Sequence, residues 1–249
     1  MKVILVGVGG ASSSGKTTLS KKLLNVLPNS FIIHQDDFAP PNDKIPLDPV
    51  HGVQNWDDPD YSIEWQRLIE VLQHVKEHGA LPSSHKSHDH LHPPSQTNLV
   101  SKDMNAKELA LQKKAREMTH PDGVVYALLD GFLCFYNKTV LDLLDVRIFL
   151  NADKHSLKHR RSLREGYATA EGDVWVDPPY YFDDIVWPAY TSVKAHKDVF
   201  VDGDVEKAEP TPHVRDLHVY DSTKLDVDEI LGNATIDIIE YSRKHAQDK

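Results

Sequence analysis

Apolar residues run almost unbroken through Val3, Ile4, Leu5, Val6 and Val8, the pattern of a short strand buried on both faces. The period then lengthens: Leu19, Leu23, Leu24 and Leu27 recur at helical spacing until Pro28 stops them. Phe31 to Ile33 reads as a second strand, and Trp65, Leu68, Ile69, Leu72 and Val75 form the face of a helix that Gly79 should close. Val124 to Leu129 and Val146 to Leu150 are further buried strands, and Leu217 to Tyr220 is the fifth. Short helices are expected near 107–116 and 140–144. A longer one is opened by a capping box of Asp226 and Glu229 and carries Val227, Ile230, Leu231, Ala234, Ile238 and Tyr241. Strands alternating with helices predict an α/β fold with a doubly wound, five-stranded parallel sheet flanked by helices.

Composition narrows the class without naming it. The 249 residues suit one domain over 1–249, with an insertion at about 79–120 and a lid at about 153–183. A formal net charge of −10 argues against nucleic acid or an anionic membrane as partner, so an anionic ligand needs local positive charge. The single Cys134 excludes an intrachain disulfide and suits a reducing compartment. No stretch approaches the roughly 18 apolar residues of a membrane span. The expectation is a soluble protein of the cytoplasm, with the nucleus as the alternative, acting as a monomer or small homo-oligomer.

The chemistry begins at Gly10-Ala11-Ser12-Ser13-Ser14-Gly15-Lys16-Thr17, which fits the phosphate-binding pattern G-x-x-x-x-G-K-[ST] between a strand and a helix. Gly10, Ser12, Ser13, Ser14, Gly15 and Thr18 would cradle a polyphosphate, Lys16 would reach its β- and γ-phosphates, and the Thr17 hydroxyl would ligate Mg²⁺. Asp36, at the end of the second strand, is a candidate acceptor for the proton of an attacking hydroxyl, or an organiser of the metal shell. Asp130, ending a buried strand, is placed as a metal-holding acid. Arg161 and Arg164, three residues apart on a basic helix, could fork onto phosphate oxygens. Trp56 and Tyr167 are stacking faces for a planar ring or parts of the core. His85, His88, His90 and His92 sit in a polar, Pro-containing stretch that reads as a solvated loop in preference to a metal site.

Taken together, Gly10 to Thr18, Gln35-Asp36-Asp37-Phe38, Trp56-Asp57, Asp130-Gly131-Phe132, Arg160 to Arg164, Tyr181-Phe182-Asp183 and Val186-Trp187-Pro188 resemble the nicotinamide riboside kinases, in a fungal-type form with insertions. These belong to the uridine kinase-like P-loop small-molecule kinases. The resemblance implies a P-loop kinase fold with a helical lid, ATP and Mg²⁺ as cofactors, and a nucleoside substrate, nicotinamide riboside or the related nicotinic acid riboside. It implies Asp36 as the acid–base residue for the ribose 5′-hydroxyl, with Lys16 on the phosphates, and Asp57 on the ribose hydroxyls. Trp56 and Tyr167 would sandwich the nicotinamide ring, Asp177 would lie near the nucleoside, Thr17 and Asp130 would manage Mg²⁺, and Arg161 and Arg164 would cover the phosphates. Trp56 stands where the family more often has Tyr, and Asp130 where a Glu is familiar; both exchanges keep the chemistry. Two alternatives stay open. Asn55 to Asp60 is also similar to a uridine and cytidine kinase motif, and Thr223-Lys224-Leu225-Asp226 fits the guanine-reading pattern of a GTP switch.

Overall fold

The computed structural model describes residues 2–87, 104–118, 123–164, 166–168 and 174–245. Its centre is strand β1 (Lys2–Gly10), whose neighbours are β3 (Val124–Gly131) on one side and β4 (Val146–Asn151) on the other. Strand β2 (Ser30–His34) extends the sheet beyond β3, and β7 (Leu217–Asp221) extends it beyond β4. All four pairings are parallel and the order is β2-β3-β1-β4-β7, so the five anticipated strands form the anticipated sheet. The chain leaves β1 toward one edge and later returns to its other side. The C-terminal end of β1 is therefore the switch point where open α/β sheets bind ligands.

Period-two alternation along β1 divides the core. Ile4, Val6 and Val8 face Leu19 and Leu23 of α1 (Lys16–Val26), Ala115 of α3 (Ala106–Met118), and Ile230 and Leu231 of α8 (Val227–His245). Val3 and Leu5 join the other layer, with Leu68, Val71, Leu72 and Val75 of α2 (Trp65–His78) and Val140 and Leu141 of α4 (Lys138–Leu143). The helix ends follow local chemistry. Gly79 closes α2 in the left-handed region at φ 69°, and the Asp226 carboxylate accepts from Glu229 N at 2.8 Å while Glu229 accepts from Asp226 N at 3.0 Å.

After β4 come α5 (Lys154–Ser162), a two-residue antiparallel ribbon of β5 (Tyr167–Ala168) with β6 (Val174–Trp175), and a π-helical turn at Phe182–Val186. Short helices α6 (Trp187–Thr191) and α7 (Val193–His196) follow. None of the described helices is long and apolar enough to cross a membrane.

Candidate active site

At the end of β1 the backbone must turn under β4, and only glycine can make that turn. Gly10 has φ 143°, and a Cβ there would stand 2.5 Å from the Leu150 carbonyl oxygen. Ser13 and Gly15 also adopt positive φ, and α1 starts at Lys16 with no side-chain cap and no acid in its first turn. The first N–H groups of α1 are thus left for an anion. Lys16 is buried and folds back to donate to Ala11 O at 3.3 Å. Burial holds its ammonium below the ordinary lysine value; Asp130 and Asp36 oppose that shift and Arg164 adds to it.

Strand register brings the acids to the same end. Asp130 lies opposite Val8 on β1 and His34 on β2, and its Oδ2 is 3.3 Å from His34 Nδ1. Burial pushes the Asp130 carboxyl up, but the His34 hydrogen bond, the Lys16 charge and a hydrogen bond from Thr17 outweigh it and hold the group below the usual carboxylate range. Its Oδ1 is buried without a hydrogen-bond partner, as are the Ser13 and Ser14 hydroxyls. Orphaned acceptors and hydroxyls beside Thr17 fit a site that Mg²⁺ and phosphate oxygens would complete.

Past β2 the chain makes a single 3₁₀ turn, Gln35–Phe38. Gln35, Asp37 and Phe38 are buried in it and Asp36 alone is exposed. Gln35 Oε1 accepts from Leu133 N at 2.8 Å, and Arg67 donates to Asp37 O at 2.8 Å while its guanidinium lies 4.9 Å from the centre of the Phe38 ring.

Loop 54–60 forms the facing wall. The buried Tyr181 hydroxyl donates to Gln54 O at 2.9 Å and accepts from Trp56 N at 3.1 Å, which sets Trp56 and Asp57 in place. Asp57 lines an apolar hollow with Ala11, Ser12, Phe132, Phe182 and Trp187. Burial raises its carboxyl above the ordinary range, Arg161 opposes, and Asp177 and Asp36 add to the rise.

Arg161 and Arg164 part company. Arg161 is buried and forks onto Asp177, Nε to Oδ2 at 2.5 Å and Nη2 to Oδ1 at 3.1 Å, and Trp175 Nε1 also donates to Asp177 Oδ1 at 2.9 Å. Arg164 is the one whose charge reaches Lys16. The backbone of Tyr167 pairs with Trp175 in the ribbon.

Comparison with known proteins gives the same direction. A nicotinamide riboside kinase from Schizosaccharomyces pombe is 35% identical over 204 residues, covering 82% of this chain and 84% of that protein. That of Saccharomyces cerevisiae is 33% identical over 206 residues, covering 82% of each. The chain belongs to the nicotinamide riboside kinase family. Human nicotinamide riboside kinase 2 is 32% identical over 80% of this chain and 74% of its own length. No protein-family model matches the chain. Among solved structures, an unliganded sugar kinase from Janibacter sp. HTCC2649 aligns over 98% of this chain and 97% of its own with TM-score 0.47 and 14% identity, too loose a likeness to speak to substrate.

Within this family member, several residues that shape the site carry no motif of their own. His34 and Arg67 are set by strand pairing and by contacts far apart in sequence, which spacing along one chain does not display; Tyr181 stands in a family block, but its bonds to loop 54–60 are equally invisible there. His85 departs from the solvated reading: its side chain is buried against Asp37 and Phe38. His88, His90 and His92 lie outside the described residues. Among the described residues no group of three or more His, Cys, Asp or Glu is arranged to hold a metal.

Proposed function

We propose that this chain transfers the γ-phosphoryl group of ATP to the 5′-hydroxyl of nicotinamide riboside, giving nicotinamide mononucleotide. The observation that carries the reading is the isolation of Asp36. It is the one exposed side chain of a turn whose other three residues are buried, and its charge reaches both Lys16 and Asp57. A base for an acceptor hydroxyl has to stand between the phosphate cradle and the acceptor pocket in this way. Asp36 takes the proton of the 5′-hydroxyl as that oxygen bonds to the γ-phosphorus and the bond to the β–γ bridging oxygen breaks, releasing ADP.

The other roles follow from charge and position. Thr17 and Asp130 would hold Mg²⁺, which when bound neutralises charge on the β- and γ-phosphates. Gly10, Ser12, Ser13, Ser14, Gly15 and Thr18 line the cradle, and Lys16 with Arg164 meets the charge developing on the transferred group. Arg161 belongs to the nucleoside side, because its guanidinium is already forked onto Asp177 and bears on Asp57. It would hold those carboxylates ready for the ribose hydroxyls. Trp56 offers an aromatic wall for the nicotinamide ring, and Tyr167 is proposed as the second. Three carboxylates, Asp36, Asp57 and Asp177, suit a cationic pyridinium.

A coupled assay offering nicotinamide riboside, nicotinic acid riboside, uridine and cytidine tests this reading. Turnover of the two pyridine ribosides is expected, with Asp36→Ala lowering kcat by at least about a hundredfold. Preferred turnover of uridine or cytidine would overturn the substrate, and an unimpaired variant would overturn the base.

A further inference from the structure

The polar stretch after α2 sends one side chain back into the wall of the site. The backbone turns as His85 N donates to Pro82 O at 2.9 Å. The imidazole then stacks on Phe38, ring centres 5.5 Å apart and planes 26° apart, with Nε2 3.4 Å from Asp37 Oδ2, within ion-pair distance but outside hydrogen-bond geometry. Both side chains are sequestered, His85 at 5% and Asp37 at 2% exposure. A carboxylate buried to that degree is costly without a counter-group. Arg67 binds the Asp37 carbonyl and lies over Phe38, and Gln35 is fastened to Leu133, so the turn is held at every residue except the one that faces the cleft.

We propose that His85 is a positioning residue for the reaction, holding Asp36 in register by anchoring Asp37 and Phe38. The inference rests on Asp36 being the base. Asp36 and Asp37 are neighbours in a one-turn element, so a rotation that lets Asp37 seek water carries Asp36 with it. Misplacement by about 1 Å is enough to cost up to a hundredfold in rate. His85 lies in the insertion, and it thereby makes a segment outside the phosphate and nucleoside motifs part of the catalytic geometry.

The test uses the full chain and three variants: His85→Ala, His85→Gln and His85→Asn. The Gln amide reaches where Nε2 stands, and the shorter Asn amide does not. His85→Ala and His85→Asn should lower kcat for nicotinamide riboside about tenfold with KM for ATP unchanged, and His85→Gln should recover most of it. In an Asp36→Asn background, His85→Ala should add no further loss, because residues acting through one another are not additive. The inference is overturned if folded His85→Ala keeps kcat within twofold, if Gln and Asn behave alike, or if the losses multiply in the double variant. Should His85→Ala fail to fold, the Gln and Asn pair decides. A wild-type chain that ignores nicotinamide riboside but phosphorylates another nucleoside overturns the substrate reading alone, and the same variants are then read on that nucleoside. A chain that phosphorylates none overturns both.

Discussion

Gly131 shows how tightly single positions are specified around the Gln35–Phe38 turn. A Cβ there would come 2.3 Å from Gln35 Oε1 and 2.4 Å from Gln35 Cβ, and the second of these atoms cannot swing away. Gly131→Ala should therefore push the Gln35–Phe38 turn outward, costing about 1–3 kcal/mol in urea unfolding and lowering kcat more than KM for ATP. A variant with wild-type stability and rate would show that the turn yields freely. His196 allows a prediction of a different kind. It is buried beside Phe149, Tyr190 and Phe200, and its Nε2–H donates to Tyr190 O at 2.7 Å. Burial lowers its pKa from 6.5 to about 4, so between those values the unfolded chain binds a proton that the folded chain refuses. The stability from neutral His196 is complete above 6.5 and falls as pH drops toward about 4, in total by roughly 3 kcal/mol. Unfolding free energies at stepped pH should show that slope in the wild type and a flatter one in His196→Gln. At this scale the phosphate loop was legible in the sequence because Gly10 and Gly15 answer a backbone demand that no other residue meets cheaply. The His34–Asp130 and His85–Asp37 contacts were not, since each joins residues whose nearness is created by the fold.

Among elements, the strands and long helices were legible for a physical reason: each buries a continuous face, and burial leaves a period in the sequence. Short elements leave none. The β5–β6 ribbon pairs two residues with two, and the Phe182–Val186 turn shows in the sequence as family blocks without a helical period. How α1, α3 and α8 are fastened together was equally hidden. Lys22 of α1 reaches Glu108 of α3 at 2.5 Å and Asp228 of α8 at 3.1 Å, and Glu108 is nearly buried. Glu108 also accepts from Asn105 N at 3.0 Å while Asn105 Oδ1 accepts from Glu108 N at 2.9 Å, so the same carboxylate caps its own helix. Lys22→Met leaves Glu108 enclosed without its cation and should cost about 2–3 kcal/mol in urea unfolding. Because these helices pack on the sheet face away from α2 and segment 181–190, kcat should stay within twofold, and a larger fall would mean that this layer bears on the site.

For the molecule as a whole, charge is distributed against the donor and toward the acceptor. The formal net charge is −10, so under the proposed function ATP must be drawn in by a local field, to which Lys16, Arg164 and the start of α1 contribute. The proposed acceptor side follows the overall sign: Asp36 and Asp177 act with like charge on Asp57, and Arg161 offsets part of it. A pyridinium riboside gains from that field, whereas nicotinic acid riboside carries a ring carboxylate that cancels its own cation. Under the proposed function, the two ribosides should therefore differ mainly in KM, with the nicotinamide form favoured at low salt. Mobile ions shorten the Debye length from about 10 Å at 0.1 M to about 3 Å at 1 M, and the part of the preference that comes from the pocket's outer field should shrink accordingly. Measured between those two salt concentrations, the ratio of the two KM values should move toward unity by a few-fold while the two kcat values change in parallel. Asp177→Asn should narrow the ratio at low salt in the same way, because it removes one of the three carboxylates and leaves Arg161 less compensated. A ratio indifferent to salt and to that substitution would mean that shape and stacking at Trp56, not charge, choose the riboside.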